Sequence, residues 1–188
     1  MIFIVLGVVA YLLFFLYDIN SILMKNKLLN CCFFAGIFLL AASTAGIIIS
    51  SAELVKLPVI RTSICGLLAA VFFALLIYTL FFALPFKDTY VGTEAPPKVY
   101  RDGIYALCRH PGVLWFIGMY FFMGLTLQSP MFYIASVIFS CLNLIYVIFQ
   151  DHWTFMKMFP DYEQYKQETP FLLPGIHSIK KCFKTISL

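Results

Sequence analysis

The chain has 188 residues, of which 62% are hydrophobic and only 12% are charged, and its mean hydropathy is +0.93. Because soluble domains do not carry so large an apolar fraction, this composition excludes an ordinary soluble enzyme or binding module. The apolar residues come in long runs, as a bilayer requires, so the sequence predicts an all-α polytopic membrane protein of about five transmembrane helices. We expect one membrane domain over 1–188, with a three-helix scaffold in 1–85. Residues 86–188 would form a cofactor-binding loop, a helical hairpin and a cytoplasmic amphipathic tail.

Five apolar runs approach the 17–25 residues that cross a bilayer, the first and fourth being the shortest. The first has no basic residues before it and no small-residue cleavage site before Asp18, so we interpret it as a retained helix rather than a signal peptide. The turn Gln128–Pro130 joins the last two spans into a hairpin. Small residues at Ala41–Gly46 predict close helix contacts. The predicted spans are Ile2–Tyr17, Leu29–Ile49, Arg61–Leu84, Gly112–Leu127 and Met131–Phe149.

The lysines and arginines predict the orientation. If the C-terminus is cytoplasmic, eleven basic residues lie on the cytoplasmic side and only Lys56 and Arg61 on the other, which agrees with the positive-inside rule. The formal charge of +4 is then a topology signal, with basic flanks that meet anionic lipid, and we expect no nucleic-acid partner. Short loops without targeting signals favour a prokaryotic cytoplasmic membrane. The eleven are Lys25, Lys27, Lys87, Lys98, Arg101, Arg109, Lys157, Lys166, Lys180, Lys181 and Lys184.

The six cysteines predict no disulfide framework, because the sequence has no CxxC pair and four cysteines fall in or beside the apolar runs. We interpret these four as packing residues. They are Cys31, Cys32, Cys65 and Cys141.

A polar loop follows the third span and ends at Arg109-His110-Pro111, just before the fourth. Asp102-Gly103 within it is typical of a turn. Pro111 fits the first turn of a helix, where a missing N–H costs nothing. The free N–H groups of that turn, together with Arg109, predict an anion site. The alternative is that Arg109 only extends to lipid phosphate.

The fifth span places Asn143, Gln150 and Asp151 on one helix face. Because an unpaired amide is costly in a bilayer, we expect Asn143, and with it Asp151, to face the bundle. The hairpin then brings Arg109–His110 beside Gln150–His152. Three interpretations stay open: a ligand site, a salt bridge that locks the hairpin, and a metal site. The metal site, from His110, Asp151 and His152, ranks low because only two histidines converge.

The segment after the fifth span carries regularly spaced aromatic residues. Pro160 followed by Asp161 and Glu163 predicts a helix start, and Thr169-Pro170 predicts its end. The aromatic face either lies on the membrane or covers a pocket. It comprises Phe155, Phe159, Tyr162 and Tyr165.

Residues 98–175 resemble the integral-membrane methyltransferases related to isoprenylcysteine carboxyl methyltransferase and to phospholipid N-methyltransferases. The family pattern is roughly G-x-Y-x-x-x-R-H-P, a helical hairpin, a pair of glutamates, then Y-x-x-Y and a Val-Pro. The chain departs from it at Val113, Trp115 and Gln150. The matching positions are Gly103, Tyr105, Arg109, His110, Pro111, Gln150, Asp151, Tyr162, Tyr165 and Thr169-Pro170.

The resemblance implies that S-adenosylmethionine is the cofactor and that a lipophilic, membrane-borne carboxylate, amine or phenol accepts the methyl group. Arg109 and His110, at the Pro111 helix start, would hold the cofactor, with Arg109 on its carboxylate. Three tyrosines would shape the pocket, while Gln150 and Asp151 would orient cofactor or acceptor. Asp151 and Arg109 are therefore the expected catalytic residues. The three tyrosines are Tyr105, Tyr162 and Tyr165.

Two other functions remain open. One is an NADPH-dependent reductase of membrane lipids or sterol-type substrates on the same scaffold, with Arg101, Lys98 and Lys87 available for phosphates. The other is a non-catalytic membrane protein, for which Val113, Trp115 and Gln150 are the evidence.

Overall fold

The computed structural model describes residues 1–51, 58–83 and 98–186. Lys56, Lys87 and the predicted end of the third span at Leu84 lie outside these ranges. Within them the chain is helical and contains no strand. The predicted all-α polytopic membrane fold is therefore confirmed.

Three long helices form the first half. Helix α1 spans Ile2–Ile19 and continues as a π-helical turn over Asn20–Met24. A 3₁₀ turn at Leu28–Asn30 leads into α2, Cys31–Ser51. Helix α3 spans Val59–Phe81.

The second half contains a hairpin and a helical tail. The short α4, Ile104–Leu107, follows Gly103, whose φ of +58° lies in the left-handed region that favours glycine, in agreement with the predicted turn. The hairpin consists of α5, Pro111–Leu127, and α6, Pro130–Phe149. A π-helical turn, Gln150–Thr154, extends α6 into α7, Phe155–Met158. The tail holds α8, Tyr162–Glu168, and α9, Ile176–Thr185.

Four helical stretches in the described part of the chain are long and apolar enough to cross a membrane, and the 17-residue α5 is a shorter apolar fifth. The chain is therefore an integral membrane protein. Two predicted ends were too early: the first span runs on to Met24, and the last runs on to Met158. The polar run after Phe149 does not end the helix, since the side chains of Asp151 and Thr154 are buried against protein.

The bundle packs α1 on α2, α3 on α5, and α6 on both α5 and α1. The predicted close contacts at Ala41–Gly46 are present. The Ser43 hydroxyl donates to the Phe3 carbonyl at 2.6 Å, and Gly46 leaves no room for a side chain beside the Phe3 ring. Aromatic rings fill the centre of the bundle, among them Tyr11, Phe14, Tyr120, Phe132 and Phe139.

The two ends of the bundle differ in polarity. At one end the Ser51 hydroxyl donates to the Ser129 hydroxyl at 2.8 Å, where α2 meets the hairpin turn. At the other end the Thr154 hydroxyl donates to Asp18 at 3.4 Å, which joins α1 to the extension of α6. The candidate site lies at this second end.

Candidate functional site

A buried carboxylate, Asp151, forms the centre of the site. Its side chain has no exposed surface. Arg109 donates from Nε to Oδ1 at 2.8 Å and from one terminal nitrogen to Oδ2 at 3.1 Å. This two-pronged geometry is the strong form of an arginine–carboxylate pair. The prediction that the hairpin makes Arg109 and Asp151 neighbours is thus correct.

Two further groups bind Oδ1 of Asp151, the oxygen that also accepts from Arg109 Nε. The Tyr162 hydroxyl donates to Oδ1 at 2.8 Å, and His110 Nε2 lies 3.0 Å from it. Because an ionised carboxylate only accepts, Nε2 carries the proton and Nδ1 keeps its lone pair in neutral His110. Burial lowers the pKa of His110. The hydrogen bond that it donates to Asp151 and the charge of that carboxylate oppose this shift, and the nearby Arg109 charge adds to it.

The rest of the Arg109 guanidinium faces the tail. Its other terminal nitrogen donates to the carbonyl of Thr169 at 2.6 Å and to that of Lys166 at 3.2 Å. The Arg109 backbone N–H donates to the carbonyl of Pro170 at 2.9 Å. Arg109 therefore ties the end of α8 to the start of α5.

These contacts revise the predicted role of Arg109. Its fork already holds a carboxylate, that of Asp151, so it does not present a free fork to the carboxylate of a ligand. The salt bridge considered as an alternative in the sequence is present. In this geometry Arg109 and Asp151 bind each other, and their catalytic and cofactor-binding roles stay predictions.

The tyrosines of the pattern form hydrogen bonds inside the protein, around the site. Tyr162 and Tyr165 are buried, and the Tyr165 hydroxyl donates to the carbonyl of Tyr105 at 2.6 Å. The Tyr105 hydroxyl donates in turn to the carbonyl of Thr79 on α3 at 2.9 Å. Burial, followed by the neighbouring Asp151, raises the pKa of Tyr162. The alternative that this aromatic face lies on the membrane is therefore wrong.

Three residues near Asp151 in the sequence make their closest contacts outside its cluster. Gln150 donates to the Tyr146 hydroxyl at 2.9 Å, on another face of the helix. Trp153 stacks on Phe149 at 5.0 Å between ring centroids. His152 is exposed and hydrogen bonds through Nδ1 to the carbonyl of Ile148 at 3.0 Å. The same nitrogen lies 3.9 Å from Asp151 Oδ2, at the edge of the cluster and on the other carboxylate oxygen from His110.

Asn143 was expected to face the bundle. It is half-buried, and its side chain makes no hydrogen bond with the described residues. Asp151 is buried without a hydrogen bond to Asn143, and its four hydrogen bonds compensate for the loss of water.

A second buried acid lies close by and was not predicted as a site residue. Asp18 is 3% exposed and accepts a hydrogen bond from the Thr154 hydroxyl at 3.4 Å. Within the described ranges no basic side chain lies within 4.0 Å of it, in contrast to Asp151. A sequence signal was present, since Asp18 is the acid that follows the first apolar run.

Sequence reasoning also missed two residues at the rim of the cluster. Lys166 Nζ lies 3.7 Å from Asp151 Oδ2 and is partly exposed. The Thr169 hydroxyl is buried and is the one buried side-chain polar atom of the described chain without a hydrogen-bond partner. The pattern identified Thr169 only as a helix end, so no signal pointed to its hydroxyl.

The departures from the family pattern have local structural roles. Val113 is buried in the first turn of α5, two residues after Pro111 at its first position. Trp115 donates from its indole nitrogen to the Thr79 hydroxyl at 3.0 Å, so it joins α5 to α3.

The residues considered for phosphate binding are separate from this cluster. Arg101 pairs with Asp161 at 2.7 Å and, more distantly, with Glu168 at 3.5 Å. Lys98 is exposed, and Lys87 lies outside the described residues.

The described ranges contain no group of three histidine, cysteine or acidic side chains that could hold a metal ion. Comparison with models of known families gave no match, and comparisons with curated proteins and with solved structures gave no significant match. The methyltransferase resemblance therefore rests on the pattern of residues alone.

Proposed function

We propose that the chain is an integral-membrane methyltransferase that takes S-adenosylmethionine from the aqueous side and a lipophilic acceptor from the bilayer. The observation that supports the proposal is that the motif residues converge on one place in the structure. The motif residues Arg109, His110, Asp151 and Tyr162 come from three separate segments, yet they meet at one carboxylate at an end of the bundle. We place the reaction at this end because a cofactor from water and an acceptor from the bilayer can meet there.

Some atoms of the cluster remain available to a ligand. Since Arg109 is occupied, the anionic carboxylate of the cofactor would bind the partly exposed Lys166 Nζ. The Thr169 hydroxyl, which is buried in this structure and has no hydrogen-bond partner, would be its second donor when the site opens. The half-buried rings of Phe155 and Phe171 flank His110 and offer apolar faces for adenine or for the sulfonium cation. Arg109 and Asp151 hold these groups in place.

The cofactor, when bound, supplies an electrophilic methyl group. Transfer to a primary or secondary amine or to a phenol releases one proton from the acceptor, whereas transfer to a tertiary amine or a carboxylate releases none. His110 fits the role of proton acceptor, because Asp151 fixes its tautomer and burial keeps the imidazole neutral. The cluster therefore favours an amine or phenol acceptor over a carboxylate.

The test is calorimetric binding of S-adenosylmethionine to the purified protein, followed by transfer of label from the methyl group to extracted lipids. Thr169→Val keeps the shape of the side chain and removes a hydroxyl that has no protein partner. Lys166→Ala removes the rim charge. We expect each change to weaken binding by about tenfold, the size of one lost hydrogen bond to a charged group.

Lys157→Ala is the matched control, since Lys157 is an exposed cation that lies over Trp153, outside the cluster. It should leave binding unchanged. Binding that is insensitive to both rim variants would place the cofactor elsewhere. Absence of binding would overturn the proposal.

The second candidate is a non-catalytic membrane protein. The observation that favours it is that Arg109 and Asp151 satisfy each other, as a purely structural ion pair would. Under this candidate neither S-adenosylmethionine nor NADPH binds, and Thr169→Val only removes an unpaired hydroxyl and raises thermal stability.

A further inference from the structure

Helix α9 has three distinct faces. Its buried face contains Ser178 and Cys182 and packs on α4. Thr185, near the end of the helix, accepts a hydrogen bond from the Gly103 N–H at 2.9 Å, which fixes the helix against the protein. With about 3.6 residues per turn, the opposite face then points away from the chain.

That outer face is apolar. Ile176 and Phe183 are each 77% exposed, and Ile179 and Ile186 are also exposed. The spacing of three and four residues places them on one side of the helix. An apolar stripe of this kind is unfavourable in water and marks a surface that another apolar phase covers.

The third face is cationic. Lys180 and Lys184 lie beside the apolar stripe, are exposed, and pair with no acidic side chain in the described ranges. From Thr169 to Leu188 the sequence contains three lysines and no acidic residue. A cationic strip along an apolar strip is the composition of a helix that lies in a membrane interface and attracts anionic lipids.

The position of α9 agrees with this composition. The helix packs on α4, which directly precedes Arg109 and the start of α5. It thus lies at the end of the bundle where the apolar helix α5 begins, which is where a membrane surface is expected. A soluble partner would have to compete there with lipid that is already adjacent.

We infer that α9 is an interfacial helix that binds anionic phospholipid headgroups through Lys180 and Lys184 while its apolar stripe enters the acyl region. This inference does not depend on the proposed enzymatic function. It assigns a lipid-binding surface outside the Asp151 cluster. It also predicts that the insertion of α9 into the membrane surface depends on the charge of the lipids.

The test uses the full chain in nanodiscs of phosphatidylcholine, with or without phosphatidylglycerol. Hydrogen exchange of the α9 amides is measured, together with the emission of a Phe183→Trp variant and its quenching by brominated lipid. We expect slower exchange, blue-shifted emission and stronger quenching when the anionic lipid is present. The double variant Lys180→Gln/Lys184→Gln should abolish the difference between the two membranes.

The matched control is Lys27→Gln/Lys157→Gln, which removes two exposed lysines outside α9. It should keep the full response, and unchanged exchange in α5 shows that the variants fold. Equal exchange of α9 in both membranes would overturn the inference. So would protection in detergent that rises with protein concentration, because a second copy would then cover the stripe.

Discussion

Arg109 holds both carboxylate oxygens of Asp151, although the two residues are 42 positions apart in the chain. The same guanidinium also reaches two carbonyls at the end of α8. One side chain thus joins the start of α5, the end of α6 and the tail. This arrangement makes the pair a structural centre whatever ligand the site takes.

The first prediction concerns the loss of the Asp151 charge. Asp151→Asn leaves Arg109 buried without its counter-ion, and breaking a buried pair from one side costs about 3–5 kcal/mol. We therefore expect a clearly lower thermal unfolding temperature in detergent, followed by intrinsic fluorescence. An unchanged transition would show that water or lipid already compensates Arg109.

Asp18→Asn is the matched comparison, since Asp18 is a buried acid without a basic partner in the described chain. Removing an uncompensated buried charge relieves its desolvation, so we expect unchanged or higher stability. A loss of stability as large as that of Asp151→Asn would mean that Asp18 is paired with a cation in the folded protein.

The second prediction concerns the shape of the cation. Arg109→Lys keeps the charge, but a single ammonium cannot serve both oxygens of Asp151 and two carbonyls at once. We expect a loss of about 2 kcal/mol or more, of the order of two lost hydrogen bonds to charged groups. A double-mutant cycle with Asp151→Asn should give a coupling well above the value for an exposed ion pair. Additive effects would contradict a direct interaction.

The contact between Arg109 and Asp151 was predictable because a tight hairpin brings the start of one helix beside the end of the next. Which hydrogen-bonding atoms around Arg109 and Asp151 stay free for a ligand was not predictable, because this depends on the path of the tail. Thr169 and Pro170 return to Arg109 through backbone carbonyls, and carbonyls carry no sequence signal. Apolar runs likewise predicted the helices, but not the continuation of α6 to Met158, which depends on the burial of Asp151.

Gln150 shows the limit of assigning a helix face from spacing. It precedes Asp151 by one position, and it was expected to share the site. On a helix adjacent residues point about 100° apart, and here Gln150 hydrogen bonds to the Tyr146 hydroxyl instead. The pattern identified Gln150 and Asp151 as a polar pair, but it could not show that the two side chains belong to different hydrogen-bond networks.

The third prediction is a pH dependence that arises from His110. Its pKa is lowered in the fold, whereas in the unfolded chain it is about 6.5. The unfolded state therefore takes up a proton first as the pH falls, so the full contribution to stability is present above about pH 6.5 and is lost below it. Chemical unfolding between about pH 7 and pH 5 measures this loss.

His110→Gln is the control for that dependence, because its amide can donate to Asp151 but does not titrate in this range. We expect the variant to be less sensitive to pH over the same interval than the parent chain. An equal slope in both proteins would assign the effect to other groups.

The fourth prediction concerns orientation, which the positive-inside rule places with the Asp151 end in the cytoplasm. Lys27 and Arg61 are exposed and lie at opposite ends of the bundle. In a background without the cysteines in or beside the spans, we expect Arg61→Cys to react with an impermeant maleimide in intact cells, and Lys27→Cys only after permeabilisation. Cys108 can remain in that background, because burial raises the pKa of its thiol to about 12 and keeps it unreactive. The reverse pattern would place the site on the outer surface, where S-adenosylmethionine is not supplied, and would thus contradict the proposed function as well as the topology.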